Sequence, residues 1–237
     1  ALAGSVPLLQ RLKGRFTIPV ELSDTDVETV TRRVVLAKKA DKCSAVEEII
    51  QRHAGEIDRQ LVGTRIGPRS EDRAVTVEDY PLLPVRRRFW EHALRAVDVP
   101  GTSSQLRTQL RIVHDAVREL ADRPLGTVMS ADFVFQQLQP DLLRTGVLLR
   151  EIDETIRNLD DGTKPGQLAA RLCGLIFLIR KLPREPVADI GVRATAEMLG
   201  DLLVEDLDSD GVRLRRDLPG VLDTLVAQGT LIRLGDE

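Results

Sequence analysis

Only two cysteines and three histidines occur in the chain, and each scarcity removes a class of chemistry. Cys43 and Cys173 lie far apart in sequence, so they form neither a disulfide framework nor a zinc cluster, and a reducing compartment, the cytoplasm, is expected. His53, His92 and His114 are too widely spaced for a metal-binding helix motif; they read as surface or half-buried helix residues, and no metal ligand is assigned. Long apolar runs are missing as well. The longest, Leu172 to Ile179, falls far short of the ~20 residues a bilayer crossing needs, so it reads as a buried helix and no membrane partner is expected. A strong excess of either charge is also absent. The formal charge of −3 and pI near 5.8 give no chain-wide field for nucleic acid, though a local basic patch stays open. Finally, no phosphate-cradling loop is present. The nearest fragment, DGTKPG, lacks the first glycine, and Pro165 after Lys164 removes a backbone N–H that a phosphate would need. The chain alone is therefore expected not to hydrolyse nucleotide, and no catalytic residue is assigned.

What is present is helical periodicity. With 237 residues, 42% of them hydrophobic, the chain is long enough for one large or two ordinary domains with a real core. Ser23 and Asp26 resemble a capping box ahead of Val27, Val30, Val34 and Val35. A second helix is expected from Ser44 to Leu61, ended by Gly63 and followed by a loop, GTRIGPRSEDR. A third should start near Pro84, since proline is tolerated in a first turn, and carry Phe89, Trp90, Leu94 and Val97. After Pro100 and Gly101, Thr102 or Ser103 should cap a helix with Leu106, Leu110, Val113, Val117 and Leu120 on one face. RPLG, residues 123–126, marks a domain boundary. Beyond it come a short helix after Ser130, a helix from Leu142 to Leu159, the loop DDGTKPG, and a buried helix from Gln167 to Leu182. The last stretch reads as helix (Arg193 to Leu207), turn, helix (Asp217 to Gln228) and strand (Thr230 to Leu234), the order of a winged helix-turn-helix core. The opening alanine and a final GTLIRLGDE that reads as the first strand of a hairpin without its partner suggest a piece of something larger.

One short stretch imitates a metal site. In DLDSDGVRLRRD, residues 206–217, Asp206, Asp208 and Asp210 alternate, Gly211 follows and Asp217 closes twelve residues, which is the ligand spacing of a calcium loop. Arg213 stands where an apolar residue is wanted, Arg215 and Arg216 add positive charge, and the last ligand is Asp instead of a bidentate Glu. The stretch reads instead as a turn joining two helices, with Asp217 capping the second.

Arginines are the remaining signal. Arg107 and Arg111 are one helical turn apart beside the apolar stripe, so both guanidinium groups can leave the same edge of a packed helix, a fork that suits a phosphate; the alternative is a pair of solvated charges with acidic neighbours. Arg11 and Arg15 in LQRLKGRF have the same interval, and one of them could reach another subunit's phosphate.

Several stretches together resemble a known family: RFTIPVELSDTDVETVTRRVVLAKK, YPLLPVRRRFWEHALRAVD, GTSSQLRTQLRIVHDAV, TGVLLREIDETIRNLDDGT and ARLCGLIFLIRKLPRE. They are similar to the large P-loop ATPase of BREX and phage-growth-limitation defence systems, the BrxC/PglY family, and the resemblance covers nearly the whole chain. It implies an AAA+-type parent, using ATP and Mg, whose nucleotide-binding motifs lie upstream of this chain. The implied fold is mainly α: the tail of the ATPase core domain over 1–22, a helical lid-like domain over 23–123, and a helical region ending in a truncated winged helix over 124–237. Arg107, with Arg111 beside it, then falls where such lids carry a nucleotide-sensing arginine, and Arg15 or Arg11 is the arginine-finger candidate, the choice between them staying open. Implied partners are the chain's own ATPase core domain, neighbouring subunits and other defence-system proteins. DNA stays open as a further partner. Arg213, Arg215 and Arg216 would face a major groove from the start of the last helix, although the four aspartates of 206–217 make that segment net negative.

Overall fold

The computed structural model describes residues 28–97 and 105–235, with residues 105–107 described through their backbone alone. These residues are mainly helical, and among them there is no β-strand. A helical turn over 28–30 runs into a π-helical turn, Thr31–Val35, and a 3-10 turn, Ala40–Lys42, leads into α1 (Cys43–Arg52) and α2 (Ala54–Arg59). The expected single helix over 44–61 is thus broken at His53, whose φ of −104° and ψ of 14° leave the helical range. Gly63 follows with φ +85°, a conformation that glycine adopts at no steric cost. The charged loop expected after it ends in a helix that periodicity missed, α3 (Asp72–Asp79).

The next two helices follow expectation. α4 (Pro84–Val97) buries Val85, Phe89, Trp90, Ala93, Leu94 and Val97, and α5 (Gln105–Leu120) buries Ile112, Val113 and Ala116. Trp90 fixes the join to the following segment, stacking on Phe133 at 6.2 Å between ring centroids and donating its indole N–H to the Ala131 carbonyl at 3.0 Å.

Beyond residue 126 come α6 (Phe133–Arg144), α7 (Arg150–Leu159), α8 (Lys164–Lys181), α9 (Ala196–Leu203) and α10 (Asp210–Ala227). The helix expected from Leu142 begins only at Arg150, because α6 runs through Pro140 to Arg144 and Gly146, at φ +73°, turns the chain. α8 buries one apolar face. Thr163 caps it by accepting a hydrogen bond from the Gly166 N–H at 3.2 Å, Pro165 sits in its first turn, and Leu172, Cys173, Gly174, Leu175, Leu178 and Ile179 are buried. A Cβ on Gly174 would lie 2.5 Å from the Phe135 ring, so glycine is what lets α6 and α8 approach.

The C-terminal elements differ from expectation at both ends. α9 is shorter than the expected 193–207, capped by Thr195. α10 starts at Asp210, so Asp217 lies inside the helix and does not cap it. Residues 230–234, expected as a strand, have no regular secondary structure, and Thr230 and Leu231 donate instead to the Leu225 carbonyl at 3.0 and 3.2 Å. The winged-helix order is therefore present only as two helices and a turn. Segment 127–131 runs beside 202–206, where the Val128 N–H donates to the Glu205 carbonyl at 2.7 Å and the Ala131 N–H to the Leu202 carbonyl at 2.8 Å. One buried apolar cluster extends from Leu36 to Leu225 and includes residues on both sides of RPLG.

Candidate functional site

α5 presents Arg111 beside a firmly anchored face. With Ile112, Val113 and Ala116 at most 5% exposed, Arg111 leaves the helix at the margin of the packed stripe. Its guanidinium is about half exposed and loosely held, 3.5 Å from the Asp115 carboxylate and 3.4 Å from the Gln137 side-chain oxygen. Such contacts contribute little, and they leave most of its five N–H donors available. Arg107 lies one turn earlier in the same helix, and its side chain is outside the described residues, as are Arg11, Arg15, Thr102 and Ser103.

The arginines of α10 are all engaged. Arg213 reaches Asp210 at 2.5 Å, Arg215 makes a two-pronged pair with Glu56 at 2.9 and 3.2 Å, and Arg216 reaches Asp217 at 2.7 Å. In the acidic turn before them, the carboxylates serve backbone. Asp210, held below the usual carboxylate range, accepts from the N–H groups of Glu205 and Asp206 at 3.0 and 2.9 Å; those bonds and Arg213 outweigh the opposing effect of burial. Asp206 accepts from the Asp208 N–H at 2.8 Å and the Ser209 hydroxyl at 2.9 Å. The spacing that imitates a calcium loop therefore builds an Asx-type turn, and no cluster of three or more potential metal ligands occurs among the described residues.

Periodicity alone did not single out the arginine triplet of α4. Arg86, Arg87 and Arg88 point three ways because successive helix positions are about 100° apart. Arg86 is completely buried. It donates to the carbonyls of Met129 at 2.5 Å, Val204 at 2.6 Å and Asp201 at 3.3 Å, and to the Gln60 side-chain oxygen at 3.4 Å. Burial brings its pKa down to about 10, against the pull of Glu205, Asp132, Asp201 and Asp210, so it stays charged at neutral pH. Arg88 forms a bidentate pair with Asp72 at 2.7 Å on both prongs and also donates to the carbonyls of Ile66 and Gly67 at 3.0 and 2.8 Å. Arg87 faces Glu91 at 2.9 Å and Glu28, and lies 3.6 Å from fully buried Asp79, which also takes a fork from Arg32 at 2.5 and 3.1 Å. A similar anchor sits at Arg171, bonded twice to buried Asp132 at 2.8 and 3.0 Å. Carbonyls are the acceptors that exposed segments offer only when packing turns them inward, and Arg is the side chain whose planar fork can serve several at once.

The histidines do not converge. His53 lies 3.2 Å from Asp208, His114 is exposed beside Asp115, and burial, with Arg95 and Arg69 nearby, holds His92 below the usual imidazole range. Cys173 is buried and its thiol is pushed up to about 11 by desolvation, which keeps it from acting as a thiolate at neutral pH. No described helix is long and apolar enough to cross a membrane. No protein-family model matches the chain, and no solved structure matches it significantly.

Proposed function

We propose that the chain is a non-catalytic, lid-like helical portion of a large AAA+-type ATPase from a BREX or phage-growth-limitation defence system, converting the nucleotide state of a core domain into movement of its helices. The reading rests on the resemblance of the quoted stretches, and one structural feature supports it. Arg111 stands half exposed on the edge of a helix whose other face is buried, held only by contacts of 3.4 and 3.5 Å, as a guanidinium that must release and regain a phosphate would be. In this reading ATP and Mg belong to the core domain, Arg107 and Arg111 sense the triphosphate, and Arg15 or Arg11 reaches a neighbouring subunit. The test is steady-state ATP turnover of the full-length ATPase carrying Arg107→Ala or Arg111→Ala. A loss of about tenfold or more in turnover with the Mg·ATP complex still bound is expected. Turnover and nucleotide affinity equal to the parent's for both variants would remove the reading.

Two other functions compete with this one. A helical interaction scaffold needs the same bundle without any nucleotide contact, and unchanged kinetics in both variants would leave it standing. A DNA-binding module draws less support, because each of the three α10 arginines is already met by a carboxylate. Duplex binding that weakens steeply with salt would revive it.

A further inference from the structure

Beside the fully buried guanidinium of α4, the fold gathers polar side chains from three elements. Arg86 comes from the first turn of α4, Gln60 directly follows α2 and Asp201 lies within α9, and they are 0%, 1% and 3% exposed, so bulk solvent does not serve them. Three hydrogen bonds hold the group together. Arg86 Nη2 donates to the Gln60 side-chain oxygen at 3.4 Å and to the Asp201 carbonyl at 3.3 Å, and the Leu61 N–H, next in the chain to Gln60, donates to Asp201 Oδ2 at 2.9 Å.

Each of the three side chains has one further polar atom that no protein group meets: Arg86 Nε, Gln60 Nε2 and Asp201 Oδ1. Buried polar atoms are costly to leave unserved, and native folds satisfy nearly all of them. These three belong to one neighbourhood. The Nε–H of a guanidinium shares an edge with Nη2, so it faces the side on which Arg86 meets Gln60 and Asp201. Turning the Gln60 amide over does not help, because its NH2 group would then oppose Arg86 Nη2, donor against donor. The Leu61 N–H fixes the Asp201 carboxylate beside Gln60 through one oxygen and leaves the other to be served.

We propose that a single internal water binds between these atoms, accepting from Arg86 Nε and Gln60 Nε2 and donating to Asp201 Oδ1. About three hydrogen bonds is the usual complement of a buried water. The set of two donors and one acceptor selects it, since the ligand has to accept and donate at once. A metal cation would lie against a guanidinium, a halide would lie against a carboxylate oxygen, and side chains this deeply buried leave no passage for a larger molecule. The water would tie the end of α2 and the start of α4 to α9. Its bond to Asp201 would also favour the charged carboxylate, which burial pushes above the usual range against the Leu61 N–H and Arg59. This inference is independent of the nucleotide reading.

The experiment is a crystal structure of the chain at a resolution that shows ordered water, grown with bromide as the only halide, together with oxygen-17 relaxation dispersion in solution. A density peak within hydrogen-bond reach of all three atoms and without anomalous signal is expected. Asp201→Asn keeps an oxygen for the Leu61 N–H and turns a third donor onto the site, which a water accepting two bonds cannot serve; the variant should show one long-lived water fewer than the parent. Direct contact between Gln60 Nε2 and Asp201 Oδ1, an anomalous bromide peak in the parent, or a site without density would each overturn the proposal. An equal number of long-lived waters in parent and variant would overturn it as well.

Discussion

α4 and α10 each carry three arginines within four positions, yet the two groups do opposite work. On α4 the guanidinium groups are largely buried: Arg86 is fully buried, Arg88 is 9% exposed and Arg87 14% exposed, and apart from Glu91 beside Arg87 their partners come from outside the helix. On α10, Arg213 and Arg216 are exposed and pair within three residues of themselves; only Arg215 reaches across to another helix. Partner type and desolvation, not arginine content, decide what such a cluster contributes. A buried guanidinium must have its donors satisfied or the fold loses the full cost of desolvation, while an exposed pair exchanges protein contacts for water at little net gain.

The largest effect should come from Arg86→Met, which keeps the stem and removes the head. It leaves the carbonyls of Met129 and Val204 buried without donors and should cost roughly 3–5 kcal/mol in equilibrium urea denaturation. A change near 1 kcal/mol would put α4 in the same class as α10.

Next is Asp72→Asn, which breaks the fork with Arg88 and should cost about 2 kcal/mol. The same pair predicts a pH dependence. Burial pushes the Asp72 carboxyl up, but Arg88 and the Arg69 N–H hold it below the usual range on balance. A depressed folded value means stabilisation present above the unfolded carboxylate's pKa, near ~4, and lost as pH falls through the folded value. Urea midpoints between neutral pH and pH ~3 should therefore fall more steeply for the parent than for Asp72→Asn; parallel profiles would contradict the assignment.

The smallest effect of the series belongs to α10. Arg215→Gln removes the Glu56 pair across α2 and α10 and should cost below about 1 kcal/mol. A loss comparable to that of Arg86 would show that α10 is anchored as deeply as α4.

Much of this architecture was legible from residue spacing, and the exceptions have physical causes. α4, α5 and α8 were readable because each buries a wide apolar stripe through Phe89 and Trp90, Val113, or the Leu172 to Ile179 run. Arg86 was also readable in principle, since it shares its helix face with Phe89, Trp90, Ala93 and Val97; a charge on an apolar face is a signal that packing will have to satisfy it. α3 escaped notice because its eight residues are polar on most sides and its stabilisation comes from Arg88 and Arg32 gripping Asp72 and Asp79 across the fold. The start of α10 was misplaced because spacing read Asp217 as the helix cap, whereas the helix already begins at Asp210, whose carboxylate accepts from the backbone of the preceding turn. The strand expected at Thr230 to Leu234 needs a second strand, and propensity cannot supply one. Arg111 was singled out by spacing as a candidate, whereas the groove lined by Ile176, Arg180, Leu222 and Val226 was invisible, because its walls come from three separate stretches of chain.

On the proposed reading the inward arginines hold the scaffold, while Arg111 on the edge of α5 is left for a partner. Side-by-side urea denaturation of Arg86→Met and Arg111→Ala tests it most directly. The prediction is a loss of roughly 3–5 kcal/mol for the first and a change within about 0.5 kcal/mol for the second. Equal losses, or a larger one for Arg111→Ala, would mean that the exposed guanidinium is part of the scaffold and is not free to meet a phosphate.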